Sequence, residues 1–341
     1  MDAKITKTRL GHMLSYDWIK IIGLCAVVVV VWILLFTTLA PRATTGQLLE
    51  VYVYTNVTMD SRAVGDLNKL HENGALSFDA LDYSVNELTD DSVSIVLPAH
   101  FSAGQGDIMF VSSYRYDSGQ VDENEQPVYT SDLEQFVGSY IGTCVWLGGE
   151  AEPPYGSDAS NPNTLDYLTS CANYLGRYYP DGLDGDLDRP AVETDFRARI
   201  AGDNRYKKES QIVAGLEEEC ARLTNLRDAY LRVRGYLENG TLSVTALDLT
   251  VQSEKDENGD GTVDSNDLKQ VKGYFSFDLS NVRGLEHLIT TTRSEDGTAT
   301  AQSVNMIVLN TRLQEESSRY EQVTYLDYLV RESARLADLE S

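Results

Sequence analysis

The chain has 341 residues, with 53 acidic and 28 basic side chains and a formal net charge of −25. That balance argues against a nucleic-acid partner or an anionic surface, since both reward clustered Lys and Arg. Only four cysteines are present, too few for a secreted disulfide scaffold, so packing must hold the fold.

Ile21 to Phe36 is a run of sixteen uncharged, mostly aliphatic residues, prolonged through Thr37, Thr38 and Leu39 to Ala40. A bilayer core needs about 20 such residues in a helix, so the pattern predicts a transmembrane helix over 18–40. A cleaved signal peptide fits less well. Its apolar core is usually about 7 to 15 residues long, and the small-residue site Thr38-Leu39-Ala40 is followed at once by Pro41. Lys4, Lys7, Arg9 and Lys20 precede the run and only Arg42 follows closely. The positive-inside rule then makes 1–17 a cytoplasmic tail and 41–341 an extracytoplasmic domain, giving a single-pass protein of the cell membrane.

Leu48 to Thr55 alternates Val51 and Val53 with Tyr52 and Tyr54, the period of a strand. Asp60 is placed to cap a short helix carrying Val64, Leu67 and Leu70 or His71. Asp90 to Ala103 reads as helical with an interruption at Pro98, and Asp107 to Ser112 as a short apolar strand. Asp117 to Tyr129 has no hydrophobic period and reads as a mobile loop. Ser131 and Glu134 make a capping-box pair before Phe136, Val137, Tyr140 and Ile141. Leu165, Leu168, Ala172 and Leu175 resume helical spacing, with Cys171 beside that face.

The longest helical signal is Ser210 to Leu237, where Ile212, Leu216, Cys220, Leu223, Leu226, Tyr230, Val233 and Leu237 fall three or four apart. Asn239 and Gly240 stop it. The chain then turns β-like over Leu242–Val251, Tyr274–Leu279, Leu288–Arg293 and Ser303–Asn310, and closes with a helix near Tyr320–Leu339. Strands interleaved with helices define an α/β fold.

One motif carries chemistry. Asp256 to Asp267 reads DENGDGTVDSND, a 12-residue loop with oxygen-bearing side chains at Asp256, Asn258, Asp260, Asp264 and Asp267. Calcium takes six to eight oxygens, and this spacing turns alternate side chains inward while Gly261 makes the sharp turn and Thr262 offers its backbone carbonyl. The expected metal ligands are therefore Asp256, Asn258, Asp260, Thr262, Asp264 and Asp267, and the expected cofactor is calcium. Asp at the twelfth position replaces the commoner bidentate Glu. A helix carrying Leu268, Val271 and Tyr274 or Phe275 is expected to follow. Asp184, Asp186 and Asp188 begin a similar count, but Arg189 replaces the glycine, which reads as an acidic loop.

DENGDGTVDSNDL resembles half of a dockerin, a family whose paired loop-helix repeats dock onto cohesin modules at cell surfaces. The resemblance covers about 20 residues and implies ion binding. LEVYVYTN, AGQGDIMFVS and VNMIVLNT resemble, more diffusely, the extracytoplasmic solute-binding proteins of bacterial importers. That resemblance implies a two-lobed periplasmic-binding-protein-like domain: lobe I about 46–115 plus 280–341, lobe II about 131–279, with a ligand between them.

No Gly-x-Ser-x-Gly elbow, phosphate-binding loop or His-Glu-x-x-His occurs, and His71, His100 and His287 are isolated in sequence. Cys144 and Cys171 are candidates for pairing, and Tyr174, Tyr178 and Tyr179 for an aromatic ligand platform. The sequence thus predicts a non-catalytic, membrane-tethered binding protein with a structural calcium site, its partner a small solute or a cell-surface protein. The alternatives are a dockerin-like assembly module and a cell-surface hydrolase.

Overall fold

The computed structural model describes residues 18, 20, 22–35, 48–63, 82–121, 125–148, 166–253, 255–257, 259–264, 267–310, 316 and 319–340. The expected helix after Asp60 lies outside these residues, apart from a single 3-10 turn at Ser61–Ala63.

The apolar run forms helix α1 over residues 22–35, all of them exposed. Among the described residues no helix is long and apolar enough to cross a membrane. The expected transmembrane helix, single-pass membrane location and membrane attachment are therefore not supported.

Residues Thr45–Ser341 fold as one compact unit. Its strands are β1 (Leu48–Val53), β2 (Val57–Met59), β3 (Asp82–Glu87), β4 (Ile108–Ser112), β5 (Tyr116–Val121), β6 (Pro127–Thr130), β7 (Ser243–Gln252), β8 (Leu268–Asp278), β9 (Ile289–Thr291) and β10 (Val304–Val308). Its helices are α2 (Asp90–Ser102), α3 (Asp132–Tyr140), α4 (Tyr167–Gly176), α5 (Arg189–Arg199), α6 (Glu209–Glu238) and α7 (Glu321–Glu340).

Six strands make one mixed sheet in the order β3-β1-β4-β10-β8-β7. β1 runs parallel to both β3 and β4, while β10 is antiparallel to β4 and β8. Side chains alternate across a strand, so the sheet feeds two cores. Leu49, Val51, Val53, Ile108, Phe110, Val304, Met306 and Val308 pack with α4, α5, α6 and α7. Tyr52, Met109, Val111, Ile307 and Leu309 pack with Leu97 of α2 and Leu133, Phe136 and Val137 of α3. The result is a three-layer α/β/α arrangement.

This topology corrects the two-lobed expectation. Strands assigned to different lobes share the sheet: β10 pairs with β8 through Asn305↔Asp278 and Met306↔Phe277. A strand carrying apolar residues on both faces is satisfied only between two helical layers, and β10 is buried along its whole length. That places both segments in one sheet instead of in separate lobes.

Three local readings also change. β5 and β6 form a two-stranded ribbon, with Tyr116↔Thr130 and Asp117↔Tyr129 in register, where a loop was expected. α2 continues through Pro98; the carbonyl that loses its donor belongs to Ser94, an exposed residue open to water. The acidic stretch ends in a helix start, with Asp188 accepting from the Ala191 N–H at 3.1 Å and Pro190 in the first turn of α5. The Ser131–Glu134 capping box forms as expected, with bonds of 3.1 and 2.9 Å.

Candidate functional site

The acidic loop closes the β7–β8 hairpin. The two strands pair from Ser243↔Asp278 to Gln252↔Leu268, while β10 accompanies β8 only near Asp278. The hairpin therefore extends past β10 and carries the loop to its far end. Its inner face, Leu247, Val251, Val271 and Phe275, rests on α3. Its outer face is polar, tied by Asp248 to Lys272 at 2.7 Å and Thr250 to Gln270 at 2.9 Å.

Inside the loop the carboxylates are turned onto backbone N–H groups. Asp256 accepts from Gly259 at 2.5 Å, Asp260 at 3.2 Å and Gly261 at 2.8 Å. Asp260 accepts from the Thr262 N–H at 2.9 Å and its hydroxyl at 2.7 Å. Asp267 is fully buried and accepts from Glu257 at 2.7 Å and Asp264 at 2.8 Å. Gly261 takes φ +88°, the left-handed turn expected of it. Val263 and Leu268 are exposed beside this cluster. Asn258 lies outside the described residues.

Two expectations about the loop change. Among the described residues no group of three or more His, Cys, Asp or Glu side chains is gathered to hold a metal, so calcium binding is not shown. The segment after Asp267 is strand β8, not a helix, which removes the loop-helix unit that the dockerin resemblance implies. A carboxylate oxygen offers about two lone-pair sites; each oxygen engaged by one N–H keeps capacity for a cation. The donor set of hard oxygens still suits calcium.

A second cluster was hidden in the strands. Glu50 of β1 and Asp107 before β4 are both buried. The Glu50 N–H donates to Asp107 Oδ2 at 2.7 Å, and the Gly106 N–H donates to Glu50 Oε2 at 2.8 Å. Gln322 Nε2 reaches Asp107 Oδ1 at 3.3 Å, and the Tyr167 hydroxyl donates to Gln322 Oε1 at 3.1 Å. On α2, His100 Nδ1 meets the Tyr52 hydroxyl at 2.6 Å. Burial pushes the Asp107 carboxyl up to about 8, with the Glu50 charge adding to the rise. Burial also raises Glu50, against the pull of the Gly106 N–H and His100.

Two other buried acids, Glu219 and Asp132, have arginine partners. Glu219 meets Arg222 at 2.7 Å and Arg199 at 2.9 Å; burial pushes its carboxyl up, but the two guanidinium groups outweigh that and hold it below the usual range. Asp132 meets Arg293 at 3.1 Å, and that guanidinium lies 3.9 Å from the Tyr116 ring centroid. The charge inside LEVYVYTN and the Asp heading DIMFVS were the only sequence signals of the Glu50–Asp107 pair.

No family model, curated protein or solved structure matches this chain. The two family resemblances rest on their own residues alone. The aromatic candidates Tyr174, Tyr178 and Tyr179 are all buried in the core, and Tyr178 donates to Asp195 at 2.9 Å. Cys144 and Cys171 are free thiols in the cores on opposite sides of the sheet. His71 lies outside the described residues, and the His287 carbonyl accepts from Arg62 at 2.9 Å.

Proposed function

We propose that residues 45–341 form a non-catalytic binding domain for a protein partner, in which calcium held by the loop 256–267 stiffens the far end of the β7–β8 hairpin. The observation that carries the reading is the closure of the loop on its own carboxylates: Asp256 gathers three N–H groups and buried Asp267 two more. Acceptors at the first and twelfth positions are thereby fixed on the loop's own backbone, and Asp260 at the fifth is fixed on Thr262. A divalent ion there would relieve the repulsion among five carboxylates, Asp256, Glu257, Asp260, Asp264 and Asp267.

A protein partner is favoured over a solute because one continuous sheet spans the segments that a hinged receptor would divide between lobes. Exposed Val263 and Leu268 add apolar contact area at the end of the projecting hairpin.

The test is a calcium titration of the full chain by calorimetry and thermal unfolding, beside Asp256→Ala and Asp260→Ala, with magnesium as control. Binding that stabilises the fold by about 2.7 kcal/mol at 100 times Kd, and that both variants lose, supports the reading. A melting temperature unchanged by calcium overturns it.

A further inference from the structure

The Glu50–Asp107 pair sits where β1, the entry to β4, α2, α4 and the first turn of α7 meet. The titratable groups facing it are Glu50 and Tyr52 on β1, His100 on α2, Tyr167 on α4, and Glu321 beside Gln322 on α7, with Cys171 and Tyr320 beyond Tyr167. Asp107 is also fixed through its main chain: its N–H donates to the Glu50 carbonyl at 3.0 Å, and its carbonyl accepts from Leu309 at 2.9 Å. Its main chain is therefore held beside Glu50, so a change of charge is met by rearranging side chains.

We propose that Asp107, Gln322, Tyr167 and the Arg319 carbonyl form a reversible hydrogen-bond chain that couples the proton on Asp107 to the fastening of the first turn of α7. In one polarity Tyr167 donates to Gln322 Oε1 at 3.1 Å, and Gln322 Nε2 donates to Asp107 Oδ1 at 3.3 Å. Every donor then points toward an ionised carboxylate. When Asp107 takes up a proton from solvent, the Gln322 amide turns over. The Asp107 O–H donates to Oε1, Nε2 donates to the Tyr167 oxygen, and the Tyr167 hydroxyl turns to the Arg319 carbonyl, already 3.5 Å away. An amide has one donating and one accepting end of nearly equal shape, so the reversal needs no backbone movement.

The two polarities differ in what they hold. The protonated form engages the Arg319 carbonyl directly before α7 and leaves one negative charge fewer beside Glu50. The ionised form releases that carbonyl and places two buried carboxylates together, a like-charge arrangement that costs free energy where dielectric screening is weak. The first turn of α7 is thus fastened in acid and loosened in base. Burial, which pushes Asp107 up to about 8, brings the change near neutrality.

The experiment follows two readouts on the full chain between about pH 6 and 9, the range around the raised carboxyl. One is the infrared carbonyl stretch of a protonated carboxyl group. The other is amide hydrogen exchange at residues 319–325, expressed as the ratio of Asp107→Asn to wild type at each pH so that intrinsic exchange cancels. The chain predicts a carboxylic-acid band that disappears with rising pH and is missing in Asp107→Asn, with the exchange ratio changing at the same midpoint. Gln322→Met, which removes the amide without charging the site, raises that midpoint by about one pH unit, because the ionised carboxylate loses the stronger hydrogen bond. The Gln322→Met arm is read against wild type alone, so it remains decisive if Asp107→Asn does not fold. A wild-type protein without a titrating acid band overturns the proposal, as does a midpoint that Gln322→Met leaves in place.

Discussion

Asp327 of α7, fully buried, takes Arg232 of α6 and Arg331 of its own helix at once: the two Nε atoms donate at 2.8 and 2.9 Å. The Arg232 bond is bidentate, its second nitrogen also at 2.8 Å, and Tyr236 adds a hydroxyl at 3.2 Å. One carboxylate therefore clamps the two longest helices against each other. Asp327 is the buried member; Arg232 and Arg331 keep 43% and 40% of their side chains exposed, so removing the carboxylate leaves two solvated guanidinium groups and loses charge-assisted hydrogen bonds. Asp327→Ala is expected to cost about 1.5 kcal/mol, read as a lower urea midpoint with unchanged slope. A change under about 0.5 kcal/mol would place the clamp among surface pairs of no consequence.

The two kinds of buried acid give opposite dependences on pH. Asp107 is raised on folding, to about 8, so the folded state keeps a proton that the unfolded chain has lost above about pH 4. Its contribution is complete below that lower value and declines as pH rises toward 8. Glu219 is depressed; its contribution is present above the ordinary glutamate range and disappears as pH falls through its folded value. Stability should therefore peak in mild acid and fall toward pH 8, by up to about 1.4 kcal/mol per unit for one proton. Urea denaturation at a series of pH values checks this. Asp107→Asn should flatten the alkaline limb and leave the acid limb as it was.

The thiols sort by layer. Cys144 and Cys171 are buried and free, and burial pushes both well above the usual thiol range. Cys25 is exposed and Cys220 half-buried. A thiol reagent at neutral pH should label Cys25 first and Cys220 more slowly, with Cys144 and Cys171 protected until the chain unfolds. Identical mobility with and without reductant is expected for the monomer. A Cys144–Cys171 cross-linked peptide after digestion would contradict the placement of these residues on opposite sides of the sheet.

Much of the element list was legible because the burial is one-sided or complete. The stripe from Ile212 to Leu237 became α6, and the apolar run at Val304–Val308 became a strand between two layers. β8 was misread for a local reason. Its inner row is Val271, Gly273 and Phe275, and the middle position bears no side chain because Trp146 lies over it: a Cβ there would meet the indole nitrogen at 2.8 Å. With that place empty, Leu268, Val271 and Phe275 fall at helical spacing. A register shift opposite Val244 and Ala246 then carries Phe277 to the other core, which further blurs the alternation. The ribbon at 116–130 buries little of either face, so hydrophobic period had nothing to record. The Glu50–Asp107 pair was out of reach because Gln322, which joins it, lies 215 residues from Asp107 and 155 from Tyr167.

The acidic loop offers an internal comparison between its two anchoring carboxylates. Asp256 bonds three N–H groups at an exposed turn, and water can replace it there, so without calcium Asp256→Ala should cost under about 1 kcal/mol. Asp267 is fully buried and holds the Glu257 and Asp264 N–H groups, while its own carbonyl accepts from Ser253 at 2.6 Å. Losing its carboxylate strands two donors, and Asp267→Ala should cost about 2 kcal/mol in chelator. If the loop takes calcium, the gain in melting temperature on adding the ion should vanish in both variants, although their chelated stabilities differ. Melting curves of wild type and both variants, each in chelator and in calcium, separate the two contributions. Equal stability of all three proteins in chelator would mean that the loop carboxylates contribute nothing to the fold.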